Sequence, residues 1–211
     1  MKLIIISSSV HIENEAQIIT KLFEAGLETY HLRKLKWSTQ KMKEFIKQIP
    51  IHFHDRIFIH SHYNLAYTFK LGGIHLTSSH KKRKLRTWLM VKWIKLKRPH
   101  IHISTSFKTI GDLLDTEPIY DYAYVFLSPV FDSISSKFQS GFTEHSLNSA
   151  LHKTKLNVIA RGGVDIKSIE KANKTNFKGL AFYSSIWKTK DPVAEFNKIV
   201  EKFQELNIPI E

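Results

Sequence analysis

Eight short apolar segments, each followed by a segment with helical periodicity, run through all 211 residues of the chain. Continuous apolar runs are typical of parallel strands that are buried on both faces. The predicted strands are Lys2–Ser8, Thr29–Arg33, Ile57–His60, Ile74–Leu76, Ile101–Ser104, Tyr122–Leu127, Asn157–Ala160 and Gly179–Tyr183. Eight strand–helix pairs in about 200 residues predict an α/β fold, a single (β/α)8 TIM barrel.

The segments between these strands contain helix start and stop signals. Ser38 and Asp165 are predicted N-caps, and Gly26 and Pro50 follow the first two helices. A doubly wound sheet is the structural alternative, but it has fewer units and a glycine-rich first turn, whereas Ser7-Ser8-Ser9 follows the first strand. No linker or low-complexity stretch interrupts the pattern, so one domain is predicted over residues 1–211.

The formal net charge of +13 predicts attraction to anions, and much of it is concentrated in one segment. Lys81–Arg98 contains nine Lys and Arg residues and no acid. It also has large apolar residues at helical spacing, which predict a helix with a buried apolar face and a solvated basic face. These residues are Leu85, Trp88, Leu89, Trp93 and Leu96. A surface for nucleic acid or for an anionic membrane is the alternative interpretation.

Other classes of protein are disfavoured by composition. The absence of cysteine excludes disulfides and thiolate metal sites, and no apolar run reaches the length of a membrane span. The apolar run after Met1-Lys2 is too short for a signal peptide. We therefore expect a cytoplasmic protein with no membrane partner and no specific nucleic acid partner; a homo-oligomer is possible.

Chemistry in a barrel of this kind gathers at the carboxyl ends of the strands. The segment Tyr124–Gly141 combines a strand with a long loop in which Ser133, Ser135 and Ser136 stand next to Lys137. Hydroxyl donors beside an ammonium group suit a phosphate or pyrophosphate. Small residues after the last two strands complete a typical phosphate site of such barrels. They include Gly162, Gly163 and Ser184, and Tyr183 stands next to Ser184.

The chain has twelve histidines, and several of them follow predicted strands. His31, His60, His75 and His80 should border one mouth of the barrel. Packing or solvated histidines are the simpler interpretation. The alternatives are general acid–base groups or ligands of a transition metal.

Several motifs together resemble a known family. The chain contains Tyr30-His-Leu-Arg33, Gly73-Ile-His-Leu76, Ser128-Pro-Val-Phe131 and Ala160-Arg-Gly-Gly163. They are similar to motifs of thiamine phosphate synthase and of its relative, the thiazole tautomerase TenI, and the resemblance extends from the first strand to Ser184-Ser185. It implies a (β/α)8 barrel. For the synthase it also implies a transferase reaction that joins hydroxymethylpyrimidine diphosphate to thiazole phosphate, with Mg2+ and release of pyrophosphate.

The pyrimidine and metal positions of the family are altered here. The motif Gln-Leu-Arg-Glu-Lys stands as His31-Leu32-Arg33-Lys34-Leu35, which keeps the arginine. The Asn-Asp pair after the third strand stands as His60-Ser61, and a second aspartate stands as His80. Ser61 and His80 therefore occupy the positions of the Mg2+ ligands without supplying the carboxylates that this hard cation prefers.

The positions that contact phosphate groups in the family are better preserved. Ser104 matches a serine for the pyrimidine diphosphate, and Ser133 and Ser135 match hydroxyls for the thiazole phosphate. Lys137 matches the lysine for the diphosphate, within one residue. The resemblance implies that Lys137 and Arg33 neutralise charge on the departing pyrophosphate. It also implies substrate contacts for His31, His60 and four cradle residues, Gly162, Gly163, Tyr183 and Ser184.

The resemblance therefore favours a synthase of thiamine biosynthesis, with two alternatives in the same family. One is a tautomerase like TenI, although the acid–base histidine of that enzyme corresponds to Pro129. The other is a catalytically silent protein that binds a phosphorylated ligand. Phosphorylated pyrimidine and thiazole compounds are the expected partners in the first case.

Overall fold

The computed structural model describes residues 1–115, 119–132, 137–138 and 142–211. Its eight strands form a closed barrel in which each strand pairs in parallel with the next, and β8 pairs with β1. The strands are β1 Lys2–Ile6, β2 Thr29–Leu32, β3 Ile57–Ile59, β4 Gly73–Leu76, β5 His102–Phe107, β6 Tyr124–Leu127, β7 Val158–Arg161 and β8 Gly179–Phe182. The predicted (β/α)8 barrel is confirmed.

Helices follow the strands around the barrel. The α-helices are α1 Glu15–Glu24, α2 Thr39–Lys47, α3 Asn64–Thr68, α4 Ser78–Lys82, α5 Lys84–Lys97, α6 Ile110–Asp115, α7 Glu144–Lys153, α8 Ser168–Lys174, α9 Ser184–Trp187 and α10 Pro192–Glu205. A 3-10 helix, Ile51–Arg56, precedes β3. The basic segment, predicted as one helix, is divided at Arg83 into α4 and α5.

Capping residues account for several of these boundaries. The side chain of Ser38 accepts a hydrogen bond from the Lys41 N–H at 3.2 Å, as predicted for the start of α2. The N-cap of α8 is Lys167 and not the predicted Asp165, although the Asp165 carboxylate accepts from the N–H groups of Lys167 and Ser168, both at 3.0 Å. Each of these side chains satisfies backbone donors that the first helical turn leaves without partners.

Two apolar layers stabilise the barrel. The larger layer lies between the strands and the surrounding helices, and the smaller one fills the interior of the barrel. The interior layer includes Phe58, Tyr124 and Phe126, and the His31 ring stacks on Phe58 with ring centroids 5.0 Å apart. Aromatic rings therefore form a floor beneath the carboxyl ends of β2 to β6.

A buried ion pair joins the loop after β2 to α1. Lys34 Nζ lies 2.6 Å from Glu15 Oε2 and also donates to the Ser8 carbonyl at 2.7 Å. Burial raises the pKa of Glu15, and the charge of Lys34 partly opposes that shift. Lys34 is thus committed to the scaffold, next to Arg33 at the end of β2.

The predicted orientation of the basic helix is wrong. The side chains of α5 that face the barrel are those of Thr87, Val91 and Ile94. The five apolar residues that were expected to be buried are exposed. They are Leu85, Trp88, Leu89, Trp93 and Leu96. Both sets have helical spacing, and the barrel packs against the set with the smaller side chains.

None of the helices in the described part of the chain combines the length and apolar character needed to cross a membrane.

Candidate active site at the barrel mouth

A cavity of about 240 Å3 opens at the carboxyl ends of the strands. Three cations line it, Arg33 after β2, Lys108 after β5 and Arg161 at the end of β7. Hydroxyl groups and two imidazoles complete the polar lining. These residues are Thr77, Ser78, Ser106, Ser128, His60 and His75. No Asp or Glu belongs to the described lining, so the cavity is suited to an anion.

Arg33 and Arg161 reinforce the positive potential of the cavity. Burial and, to a smaller extent, the positive charge of Arg33 together lower the pKa of Arg161 to about 10. The Arg161 guanidinium also lies 5.9 Å from the centroid of the Phe126 ring. Two guanidinium groups that repel each other gain from a shared oxyanion, because it neutralises both of them.

A histidine network lies directly beneath this mouth. His31 Nδ1 is 2.8 Å from His60 Nε2, and His31 Nε2 shares a short hydrogen bond with the Tyr124 hydroxyl. His75 is held between two hydroxyls, with Nδ1 2.9 Å from Ser104 Oγ and Nε2 3.0 Å from Ser106 Oγ. Three histidines, from β2, β4 and the end of β3, and two serines of β5 thereby connect the barrel interior with the cavity.

The surroundings of these histidines favour the neutral form. Burial holds the pKa of His31, His60 and His75 well below its ordinary value, and neighbouring positive charge lowers it further. Arg161 contributes to the shift of the pKa at all three imidazoles. A neutral imidazole can donate through one nitrogen and accept through the other, as the network requires.

The same three histidines have nitrogens within 4.8 Å of one another, a spacing that a transition metal could bridge. Both nitrogens of His31 and of His75 already have hydrogen-bond partners. In addition, a dication would be repelled by Arg33 and Arg161. Hydrogen bonding therefore accounts for the arrangement better than metal coordination does.

The residues at the family's Mg2+ positions do not fit that ion. Ser61 Oγ is buried and has no hydrogen-bond partner among the described residues. His80 Nδ1 is 2.7 Å from Thr77 Oγ1, and burial lowers the pKa of this imidazole. Mg2+ prefers anionic oxygen ligands, and a neutral hydroxyl and a neutral imidazole beside several cations do not provide them.

Two carboxylates line an adjacent cavity of about 670 Å3, which shares Phe107 with the mouth. Asp112 and Asp115 of α6 lie there, together with Lys81 and Lys84. Neither aspartate lines the mouth, which keeps its positive charge.

The structure places the predicted cradle residues after β7 and β8. Gly162 and Gly163 have positive φ angles of 86° and 67°, and a Cβ on Gly163 would lie 2.1 Å from the Phe131 carbonyl oxygen. Only glycine permits this close approach of the β6 and β7 loops. Tyr183 is hydrogen-bonded to Ser9 through its hydroxyl, and Ser184 begins α9.

Other predicted site residues are distributed differently. Ser104 is fully buried and bonded to His75, one layer below the cavity. Lys137 is exposed, and its carbonyl accepts from the Asp132 N–H at 2.7 Å. Ser133 and Ser135, with Ser136, lie outside the described residues. The roles assigned to these residues stay predictions.

Several lining residues were not assigned a role from the sequence. Arg161 was recognised only as a strand-end residue, although it contributes the second guanidinium of the mouth. Lys108, Ser106 and Ser128 were likewise unassigned. The sequence signal that could have identified these residues is their position alone, since each lies near or just after the carboxyl end of a strand.

Comparison with known families agrees with this architecture. Residues 3–186 match the family model described as thiamine monophosphate synthase. The chain belongs to the thiamine monophosphate synthase family. No curated protein sequence matches it.

Solved structures of this family are similar over nearly the whole chain. Thiamine phosphate pyrophosphorylase from Bacteroides thetaiotaomicron is 25% identical with a TM-score of 0.76, covering 97% of this chain and 98% of that one. The enzyme of the same name from Pyrococcus furiosus is 17% identical with a TM-score of 0.75, covering 97% and 96%. Phosphoribosyl anthranilate isomerase from Thermus thermophilus, 10% identical with a TM-score of 0.61 over 98% and 100% of the chains, shares the fold alone.

Proposed function

We propose that this family member is a transferase of thiamine biosynthesis that couples hydroxymethylpyrimidine diphosphate to thiazole phosphate and releases pyrophosphate. The observation that carries the proposal is the mouth cavity, in which Arg33, Arg161 and Lys108 converge without an acidic residue in the described lining. Family membership supplies the substrate class, and the cations supply a reason why a diphosphate would be held there.

The reaction requires stabilisation of a departing anion. When the bond between the pyrimidine methylene carbon and the diphosphate oxygen breaks, its electron pair leaves with the pyrophosphate. Fixed positive groups that already face this position lower the barrier without reorganisation. In the proposal, Arg33 and Arg161 contact the diphosphate first, and Lys137 adds its charge from the loop after β6.

Mg2+ serves as the family's usual counterion for the diphosphate, but the residues at Ser61 and His80 do not fit it. We therefore propose that the guanidinium groups replace much of the charge that the ion supplies elsewhere in the family. Arginine forms bidentate hydrogen bonds to phosphate oxygens and stays charged at neutral pH, so it is suited to this replacement.

A coupling assay with both precursors tests the proposal. We expect thiamine phosphate and pyrophosphate to form in equal amounts, with little loss of rate when EDTA replaces Mg2+. Arg161→Met should reduce the rate by at least about tenfold, because it removes a charge-assisted contact to the leaving group. Lys21→Met, on the exposed side of α1, is the control and should leave the rate unchanged.

A silent protein that binds a phosphorylated ligand is the second candidate, and the histidine network favours it. His31 and His60 stand at positions where the family has amide side chains, yet they are bonded to each other. His31 is also fully buried, so its imidazole is not available to a pyrimidine ring. Binding of thiazole phosphate without product formation, at any Mg2+ concentration, would select this candidate over the transferase.

A further inference from the structure

Helix α5 has apolar side chains on two opposite faces. The inner face packs on the barrel through Thr87, Val91 and Ile94. The outer face carries Leu85, Leu89 and Leu96, which are 71%, 54% and 77% exposed. Spacings of four and seven residues place these leucines on one line along the helix, opposite the buried set.

Two tryptophans widen this line into a ridge. Trp88 and Trp93 flank the leucines and are 42% and 44% exposed. Trp93 also packs edge-on against Tyr67 of α3, with ring centroids 4.9 Å apart, which anchors one side of the ridge. Single exposed apolar residues are ordinary, but five on one helix face, with Lys92 among them, are a concentration that marks an interaction site.

Within the segment Lys81–Arg98, the ridge is accompanied by positive charge alone. Among the nine Lys and Arg residues of Lys81–Arg98, Arg86, Lys92 and Lys97 are exposed beside it, and the segment has no acid. Lys92 Nζ lies 4.8 Å from the centroid of the Trp88 ring, a cation–π contact at the surface of the helix. The surface therefore calls for a partner that is both apolar and anionic.

The requirement for a partner that is both apolar and anionic distinguishes between the molecules that could cover the ridge. A second copy of the chain would cover the leucines but would bring two basic segments together, which like-charge repulsion opposes. Nucleic acid would neutralise the cations but would leave the leucine line without an apolar partner. An anionic lipid surface satisfies both, because leucine and tryptophan enter the acyl–headgroup boundary while Lys and Arg face the phosphates.

We propose that the outer face of α5 binds the surface of membranes that contain anionic phospholipid. The helix lies in the plane of the interface, with the ridge immersed and the barrel on the aqueous side. This inference is independent of the chemistry proposed for the barrel mouth, since no ridge residue lines that cavity. It runs against the expectation from composition that the protein has no membrane partner.

Co-sedimentation of the full chain with vesicles tests the proposal. We expect retention on an equimolar mixture of phosphatidylcholine and phosphatidylglycerol, and little on phosphatidylcholine alone. The emission of Trp88 and Trp93 should shift to shorter wavelength on binding. Raising the salt from about 0.1 M to about 1 M should weaken the interaction, because the screening length falls from about 10 Å to about 3 Å.

Two double variants separate the apolar contribution to vesicle binding from the electrostatic one. Leu85→Ala combined with Leu96→Ala should reduce partitioning by about tenfold or more, and both sites are exposed enough for the fold to be kept. Arg86→Gln with Lys92→Gln removes two of the nine cations and should reduce both the binding to anionic vesicles and its salt dependence. Ile51→Ala, at a residue that is 77% exposed outside this helix, is the matched control and should bind like the original chain.

Other results of these experiments would contradict the proposal. Absence of retention on anionic vesicles, or equal retention by the leucine variant, would overturn the proposal. A dimer in light scattering that the leucine variant abolishes would assign the ridge to a second copy instead. Tighter binding to duplex DNA than to vesicles at physiological salt would assign it to nucleic acid.

Discussion

Arg33 and Arg161 determine what the barrel mouth can bind. They come from β2 and β7 and face one cavity, where the charge of Arg33 contributes to the lowered pKa of Arg161. Ser61 and His80, at positions where the family has acids, add no negative charge to oppose them. At the scale of single residues, we propose that guanidinium groups take the place of a metal held by carboxylates.

The contribution of Arg161 can be measured directly. Arg161→Met should weaken pyrophosphate binding by about tenfold to a hundredfold, as expected for the loss of a charge-assisted hydrogen bond. Arg161→Lys should recover part of the affinity, because it restores the charge without the bidentate geometry. Calorimetry with pyrophosphate gives the comparison, and equal affinities for all three proteins would remove Arg161 from the site.

Placing aspartates at the two Mg2+ positions of the family tests the proposed replacement of the metal by guanidinium groups. Ser61→Asp combined with His80→Asp adds two carboxylates at the positions of the Mg2+ ligands, and we expect Mg2+ to accelerate this variant more than the original chain. The measurement is the rate of thiamine phosphate formation across a Mg2+ titration. If the double variant gains no response while thiazole phosphate still binds, the pyrimidine half of the site has diverged beyond the metal ligands.

At the scale of elements, helix boundaries are set by short polar side chains. Asp191 is an example, since its Oδ1 accepts from the N–H groups of Val193 and Ala194, both at 3.0 Å, at the start of α10. That helix packs through Phe196, Ile199 and Phe203. The cap therefore holds a large apolar face in register with the barrel.

The contribution of the Asp191 cap to the free energy of unfolding can be measured. Asp191→Ala should lower the free energy of unfolding by about 1 kcal/mol, because two backbone donors lose their acceptor. Asp191→Asn keeps an acceptor and should lower it by less. Urea unfolding at neutral pH distinguishes the two variants, and identical losses would show that the charge, rather than the hydrogen bonds, stabilises the helix start.

At the scale of the whole molecule, the barrel closes over three histidines that must remain neutral. His31 lies on β2, His60 directly follows β3 and His75 lies on β4, so their nitrogens come together when these three neighbouring strands pair. The groups that face them include Arg33, Arg161 and Tyr124. Folding thus excludes protons from imidazoles that bind them readily in the unfolded chain.

This arrangement predicts a pH dependence of stability. Because the folded pKa values lie well below the unfolded value of about 6.5, the stabilisation is complete above that pH and is lost as the pH falls below it. Three excluded protons give a slope of up to about 4 kcal/mol per pH unit. Urea unfolding between pH 7 and pH 5 measures it, with exposed His100→Gln as a control that should keep the slope. A flat profile would show that the network accepts protons when folded.

Much of the fold was predictable because its signals are local. Each strand is a short apolar run and each helix has its own periodicity and cap, so the eight units could be counted before any tertiary contact was known. The carboxyl ends of all strands lie at the same end of a barrel. For this reason the sequence also predicted that His60, Arg33 and the glycines after β7 lie near one mouth.

What the sequence by itself determined is therefore the barrel, its family motifs and the positions at the ends of the strands. Only the tertiary structure decided which strand-end side chains converge. The pairing of Arg33 with Arg161 and of His31 with His60 depends on distances between residues far apart in the chain, which periodicity does not encode. The orientation of α5 was undetermined for a related reason: both of its faces are apolar at helical spacing, and packing against the barrel selected Thr87, Val91 and Ile94.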